Sequence, residues 1–385
     1  MRHAQTYYKA SWFNIKVEAL SAGTIHFTRP LNFRKRPLRL SEVARYSPTI
    51  QHRPQVLTMS RILKQSFFLP SPVLTEKNLP SQAGRVFIIT GGYAGCGFEL
   101  AKTLYQSNGT VYVAGRSRTK ADSAMQRLRS ENPRSKGKIA FLEVDLADLS
   151  TIKPAVDTFL AKEQRLDVLT NNAGVMMPPP GSLSAQKHEL QIATNCLGPY
   201  LFAKLLTPLL IHTASLPETA PGSVRVTWAA STAIDGFSPP GGMTFDSDDV
   251  YLPHPKNNQN SNYGASKAGN YFLASQFALR HPESGVISNA WNPGNLNTEL
   301  QRHASFLMRL IGKLLMHDSK YGGYTELWAG WSEQAGHKER NGAYVWPWGR
   351  FGGVREDVQA EIDKGVDGKA GAFWEWCEKE TKKYA

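Results

Sequence analysis

The sequence predicts an α/β fold: a doubly wound parallel sheet with helices on both faces, a single domain preceded by an extension. Three observations carry this. From residue 85 onward, short apolar runs rich in β-branched residues alternate with stretches of helical spacing, as parallel strands joined by crossover helices require. Glycines crowd the first strand-to-helix junction, at Gly91, Gly92, Gly95 and Gly97. The 385 residues are 41% hydrophobic, enough to bury a substantial core.

Strands are expected at 85–90, 110–116, 138–145, 166–171, 223–231 and 285–291, with helices filling the intervals. The first strand runs into the glycine turn and then into helical spacing over residues 98–105. Glycine lets the backbone turn sharply and approach a pyrophosphate, which meets the free N–H groups and positive dipole end of the following helix. A lone glycine cluster is weak evidence, but here it has the strand-turn-helix setting that a Rossmann-type dinucleotide site needs. At the end of the second strand stand Gly115, Arg116, Ser117, Arg118 and Lys120, with no acid. In this fold a carboxylate there accepts the ribose hydroxyls of NAD, whereas a basic residue accommodates the extra phosphate of NADP. NADP is therefore expected, although a solvated basic loop would look the same.

Tyr263 and Lys267 lie four residues apart, about one helical turn, so both project from one face. A phenol normally titrates near pH 10, and a neighbouring ammonium favours the phenolate, which would fit Tyr263 for proton transfer. An ordinary helix could carry the same pair. Further motifs change the balance. Over residues 80–350 the chain resembles the short-chain dehydrogenase/reductase family: Thr90, Gly91, Gly95 and Gly97 match its cofactor turn, Asn171, Asn172, Ala173 and Gly174 its second glycine-containing signature. Asn195 matches its central-helix asparagine, Ser231 its substrate-orienting serine, Tyr263 and Lys267 its catalytic pair, and Pro293 and Gly294 with Thr298 the nicotinamide-side segment.

The resemblance implies roles. Tyr263 would exchange the proton with the substrate oxygen while hydride passes between the nicotinamide C4 and the carbonyl carbon. Ser231 would hydrogen-bond that oxygen. Lys267 would hold the nicotinamide ribose and lower the phenol pKa, and Asn195 would support a water-linked proton path. Cys96, Asp145, Leu146 and Leu296 join the implied cofactor contacts, Asp145 and Leu146 on the adenine. The long stretch between Ser231 and Tyr263 resembles the retinol-dehydrogenase-like and fungal reductase branch, a hint of secondary metabolism. The expected substrate is a small or medium hydrophobic carbonyl or alcohol. The competing function is a cofactor-binding scaffold or sensor without turnover, disfavoured because every catalytic position is filled.

Residues 1–58 hold ten Lys and Arg against Glu18 and Glu42, so much of the net charge of +13 lies there. This basic extension reads as a targeting segment, a disordered tail, or sequence upstream of a working start at Met59, the last being favoured. A pre-core segment at 59–84, a dehydrogenase domain at 85–350 and a helical tail at 351–385 complete the organisation. No nucleic-acid motif accompanies the charge. Cys96, Cys196 and Cys377 have neither metal-ligand spacing nor disulfide density, which fits a reduced, cytoplasmic setting; Cys96 reads as a small hydrophobe before a redox sensor. The ten histidines form no metal motif, so no metal is expected. Residues 201–211 are too short for a transmembrane span. Their wide apolar face fits the sheet or a subunit interface, leaving a homodimer open.

Three segments qualify as substrate walls. The insertion carrying Pro239, Pro240, Gly241 and Gly242, then Asp246, Asp248 and Asp249, is either such a wall or a surface excursion. Residues 299–317, with Phe306, Leu307, Leu310, Ile311, Leu314 and Leu315 at helical spacing around Arg309 and Lys313, read as an apolar lid or a membrane-surface contact. Residues 342–349, with Trp346 and Trp348, read as a final strand and turn whose aromatics pack or line the pocket. Trp374 and Trp376 belong to the terminal helix.

Overall fold

Strands that are apolar on both faces belong between two helical layers. In the computed structural model these runs form β1 (Val86–Thr90), β2 (Thr110–Gly115), β3 (Lys138–Glu143), β4 (Val168–Asn171), β5 (Val224–Ala229) and β6 (Val286–Trp291). A hairpin of β7 (Tyr344–Trp346) and β8 (Arg350–Gly352) follows. The structure describes residues 58–247, 250–253, 258–296 and 316–385, with the backbone alone for 18–19, 25–26 and 53–57. Every residue of β1, β4, β5 and β6 is buried.

The sheet runs β8-β7-β6-β5-β4-β1-β2-β3, parallel throughout except for the antiparallel β7–β8 edge. After β3 the chain crosses back over β1 to lay β4 on its other side. That reversal opens a crevice beyond the carboxyl ends of β1 and β4, where α/β sheets bind ligands. Three strands stop short of the sequence reading. β2, β3 and β5 end at Gly115, Glu143 and Ala229, leaving Arg116, Asp145 and Ser231 beyond the ladder. Other bonds take over there: the Asp145 N–H donates to Thr151 Oγ1 (3.0 Å) and the Ala230 N–H to the Trp291 carbonyl (2.8 Å).

Alternation along the strands splits the core. Ile88, Leu169 and Val226 face a layer built from α4 (Ile152–Leu160), α5 (Gly198–Ser215) and α7 (Gln259–Arg280). Phe87, Ile89 and Val168 face α2 (Gly95–Gln106) and α8 (Ser319–Trp331). The sheet takes the wide apolar face of α5, with Phe202, Leu206 and Leu210 fully buried. The end of α8 is closed by a cation: Arg225 on β5 donates to the Ala329 and Ser332 carbonyls at 3.1 and 2.7 Å, complementing the helix dipole.

Residues 1–52 and 53–385 form separate compact units. In the first, Glu18–Ala19 pairs antiparallel with Ile25–His26; the rest of it lies outside the described residues. The second opens with α1 (Arg53–Ser66), which carries Met59 in its interior. Among the described residues no helix is long and apolar enough to cross a membrane.

The insertion after Ser231 is not a loose excursion. It contains the short α6 (Ala233–Phe237) and then turns through Gly241 and Gly242, at φ +69° and +89°. Arg355 donates to the Pro239 carbonyl (2.7 Å), Asp357 accepts from the Gly241 N–H (2.6 Å), and Lys369 donates to the Pro240 and Met243 carbonyls (2.9 and 2.8 Å). Arg355 precedes α9 (Glu356–Asp363) and Lys369 opens α10 (Lys369–Thr381), so the tail fastens the loop. Asp248, Asp249 and residues 297–315, which hold Thr298 and nearly all of the expected lid, lie outside the described residues.

Candidate active site

The glycine turn is shaped for close approach. Gly91 and Gly95 adopt φ +67° and +53°, the left-handed region that favours glycine. A Cβ on Gly97 would sit 2.5 Å from Asn172 Nδ2. That amide donates to the Thr90 carbonyl (2.8 Å), and the Ala173 N–H donates to Thr90 Oγ1 (2.9 Å), so the residues 171–174 segment is laced onto the first turn. Gly97→Ala should push Asn172 off Thr90 and weaken dinucleotide binding about tenfold or more, measurable by NADPH fluorescence titration; unchanged affinity would dismiss this role for the close approach.

α2 starts without a side-chain cap. Its N-cap, Ala94, offers no side chain and its first turn carries no acid. Side chains of Ser117, Asn258 and Asp318 cap α3 (Arg118–Glu131), α7 and α8. Uncapped N–H groups at a dipole's positive end are suited to an anion. They face a cavity of about 430 Å³ lined by Gly91, Gly95 and Cys96, with Asn172, Ala173 and Gly174 alongside. Asp145 and Leu146 form one wall, Arg116 and Lys120 another. Arg118 points elsewhere, 3.9 Å from Glu143 and over the Phe141 ring.

The second cluster lies on α7. Tyr263 hydrogen-bonds Ser231, which stands just past β5 and accepts the Ala233 N–H (3.1 Å) to start the turn into α6. Lys267 is buried and donates to the Ala229 carbonyl (2.8 Å), its ammonium 5.6 Å from the Tyr263 ring centroid. Asn195 lies in a π-helical turn, Ala193–Leu197. Such turns often mark functional sites. Its side chain accepts the Val175 N–H (2.8 Å) and donates to the Val175 carbonyl (3.0 Å) and Ser266 Oγ (2.9 Å), binding the strand end after β4 to the helix of Tyr263 and Lys267.

One expectation is corrected. With the Lys267 ammonium beneath the ring, the phenol still does not fall below its ordinary pKa. Burial pushes Tyr263 up to about 12, and what favours its phenolate is the hydrogen bond from Ser231. Burial also drives Lys267 down to about 8. The ammonium donates to the Ala229 carbonyl and lies over the ring.

On the far side, Gly294 takes φ +87° and its N–H donates to Asn292 Oδ1 (3.1 Å), ordering the turn after Pro293. Leu296 is buried, and a Cβ on Gly322 would meet its Cδ1 at 2.3 Å and Cys96 Sγ at 2.5 Å. Cys96 is thus packed between α2 and α8, its thiol raised well above its ordinary range by burial. Trp348 packs on Tyr321 (centroids 4.5 Å apart) and His317 (4.7 Å), and Trp346 stacks under Arg350, so both are packing anchors. Among the described residues no group of His, Cys, Asp and Glu side chains could hold a metal.

Several residues escaped the sequence reading. Tyr93 lines the cavity with its ring against Gly115, where a Cβ would come within 2.5 Å. Asn270 donates to the Ala229 carbonyl (2.6 Å) beside Lys267. Its position three residues after Lys267 was the available signal. Gln65, Asp235 and Asn292 gave none.

A parallel sheet with its reversal at a glycine turn, and a serine, a tyrosine and a lysine grouped beside it, define a nicotinamide-dependent oxidoreductase of the doubly wound class. The family model described as short chain dehydrogenase matches residues 85–226. A short-chain dehydrogenase/reductase of Phomopsis amygdali is 41% identical, the alignment covering 82% of this chain and 95% of that one. One of Pestalotiopsis fici is 42% identical, over 84% and 98%. The chain belongs to the short-chain dehydrogenase/reductase family. The fold is shared with the Pseudomonas aeruginosa RhlG/NADP active-site complex (TM-score 0.53, 20% identity, 70% of this chain and 96% of that one). It is shared also with a Brucella melitensis 3-ketoacyl-(acyl-carrier-protein) reductase complexed with NADH (0.51, 19%, 69% and 96%).

Proposed function

We propose that this oxidoreductase uses NADP and transfers hydride between the nicotinamide and a carbonyl or alcohol of a small to medium hydrophobic substrate. Structures of this fold hold either cofactor, so the fold does not choose between them. The observation that carries the choice is the wall after β2, where Arg116 and Lys120 line the cavity and residues 115–120 contain no acid. A carboxylate there would repel a 2′-phosphate; a guanidinium grips one with two hydrogen bonds.

The residues present fit the dinucleotide. Its pyrophosphate would lie on the uncapped start of α2, its adenine beside Asp145 and Leu146, and its nicotinamide end near Pro293 and Gly294. Bound there, NADPH supplies the hydride. The chain supplies the proton: Tyr263, protonated at neutral pH as any phenol is, donates to the carbonyl oxygen as negative charge develops on it. Ser231, already bonded to that phenol, gives the same oxygen a second hydrogen bond. Lys267 places a positive charge behind the ring, and Asn195 keeps the residues 171–175 segment and α7 in register. Val175 and Met176 line the cavity close to Asn195 and favour an apolar substrate. The NADP reading supports reduction as the working direction, and the fungal relatives support a place in secondary metabolism. The buried, unpaired thiols fit a reducing compartment such as the cytoplasm.

The test is a pair of kinetic constants. NADPH consumption over a panel of ketones and aldehydes should reveal turnover, and Arg116→Asp should raise KM for NADPH about tenfold or more while leaving NADH within about twofold, since a bidentate charged contact is worth about 1.5–3 kcal/mol. Equal effects on the two cofactors would overturn the NADP assignment.

A further inference from the structure

α1 reaches the reactive end of the site through one buried side chain. Gln65 is fully buried, and both ends of its carboxamide are used. Its Nε2 donates to Asp235 Oδ2 (3.1 Å) and its Oε1 accepts from Asn292 Nδ2 (2.9 Å). The direction of this chain is fixed by chemistry: the Asp235 carboxylate accepts, so the amide nitrogen must face it, and Asn292 must then donate. Asn292 Oδ1 is left to accept the Gly294 N–H (3.1 Å).

The two partners sit on the two loops that matter. Asp235 belongs to the turn that starts at Ser231: Ser231 Oγ accepts the Ala233 N–H, the Ser231 carbonyl accepts the Ile234 N–H (3.1 Å), and the Asp235 N–H returns to the Thr232 carbonyl (3.0 Å). Asn292 heads the turn of Pro293 and Gly294. All three side chains are nearly sealed from solvent, at 0%, 3% and 1% exposure, so water cannot readily replace a lost bond. The helix itself is held: Arg350 on β8 donates to the Lys64 carbonyl (2.5 Å), and Arg61 lies 3.8 Å from Asp235.

We infer that Gln65 is a positioning residue, a buried brace that sets the Ser231 turn and the Pro293–Gly294 turn at a fixed separation and so aligns the oxygen-binding serine with the nicotinamide end of the cofactor. The brace comes from a helix that lies before the first strand and outside the span matched by the family model. The inference rests on the proposed placement of substrate oxygen at Ser231 and of the nicotinamide at Gly294.

Two measurements on full-length Gln65→Ala test it, with Gln65→Met as the companion should the alanine variant fail to fold. Hydrogen exchange of the free protein should quicken about tenfold or more at the amides of 231–235 and 292–296, with β1 and the start of α2 unchanged. NADPH should bind about fivefold to tenfold more weakly, while 2′,5′-ADP, which lacks the nicotinamide half, keeps its affinity within about twofold. A folded variant with unaltered exchange in both segments, or with NADPH and 2′,5′-ADP weakened equally, overturns the inference. Wild-type protein that binds 2′,5′-ADP no better than 5′-ADP would defeat the NADP reading instead, and the exchange comparison would still decide the brace.

Discussion

Replacing Tyr263 with phenylalanine is expected to cut turnover about 10²–10⁴-fold, the range ascribed to a positioned general acid, while NADPH affinity stays within about threefold. The change removes one oxygen and leaves the ring, its packing and the Lys267 ammonium beneath it. Burial holds the phenol at about 12, so at pH 7 it carries its proton almost completely. Reduction of a carbonyl therefore draws on a loaded donor. In the variant Ser231 remains, and its hydroxyl bonds the substrate oxygen without an acid to complete the transfer. The loss should appear in kcat far more than in KM, because the missing interaction strengthens only as the oxygen gains charge. Retained turnover would remove Tyr263 from the proton path; a parallel loss of NADPH binding would show that the ring, not the hydroxyl, mattered.

Lys267→Met should separate stability from activity. The ammonium is buried, and its pKa of about 8 lies roughly 2.5 units under the ordinary value near 10.5. At about 1.36 kcal/mol per unit, keeping this charge inside costs on the order of 3 kcal/mol at neutral pH. Methionine fills similar volume without charge. It gives up one hydrogen bond to the Ala229 carbonyl, worth about 1 kcal/mol, and Asn270 still satisfies that acceptor. Urea unfolding at pH 7 should therefore show the variant about 1–3 kcal/mol more stable, with turnover reduced at least about a hundredfold.

The pH dependence carries a definite sign. A lysine whose folded pKa is depressed burdens the fold below that pKa, and the burden fades as pH climbs from about 8 toward 10.5, because the unfolded chain then binds more protons than the folded one. Wild type should gain stability from this site across that window, and Lys267→Met should not. A variant less stable than wild type at pH 7 would mean that the bond to Ala229 outweighs desolvation.

What the sequence disclosed was local, and what it withheld was distant. The β1 turn into α2 was legible because strand, glycines and helix lie within about twenty residues and each has its own periodicity. Tyr263 and Lys267 were legible because one helical turn joins them. Strand ends were misjudged at Glu143 and Ala229, where the apolar residues Val144 and Ala230 continue past the last paired positions and local sequence carries no stop signal. The electrostatics of the pair were misjudged as well, since proximity in sequence placed the ammonium near the phenol while burial, which depends on the whole fold, set both pKa values. Gln65 and Asn292 are separated by 227 residues. No spacing rule links them.

The tail's grip on the Pro239–Gly242 turn has a practical side. Arg355, Asp357 and Lys369 hold two carbonyls and an amide of that turn, and the Met243 carbonyl just after it, across more than a hundred residues of chain, so neither partner can be exchanged alone. Anyone transplanting a relative's loop to redirect selectivity would need to graft residues 355–369 along with it, and trimming the C-terminus would disturb the very stretch that links Ser231 to Tyr263.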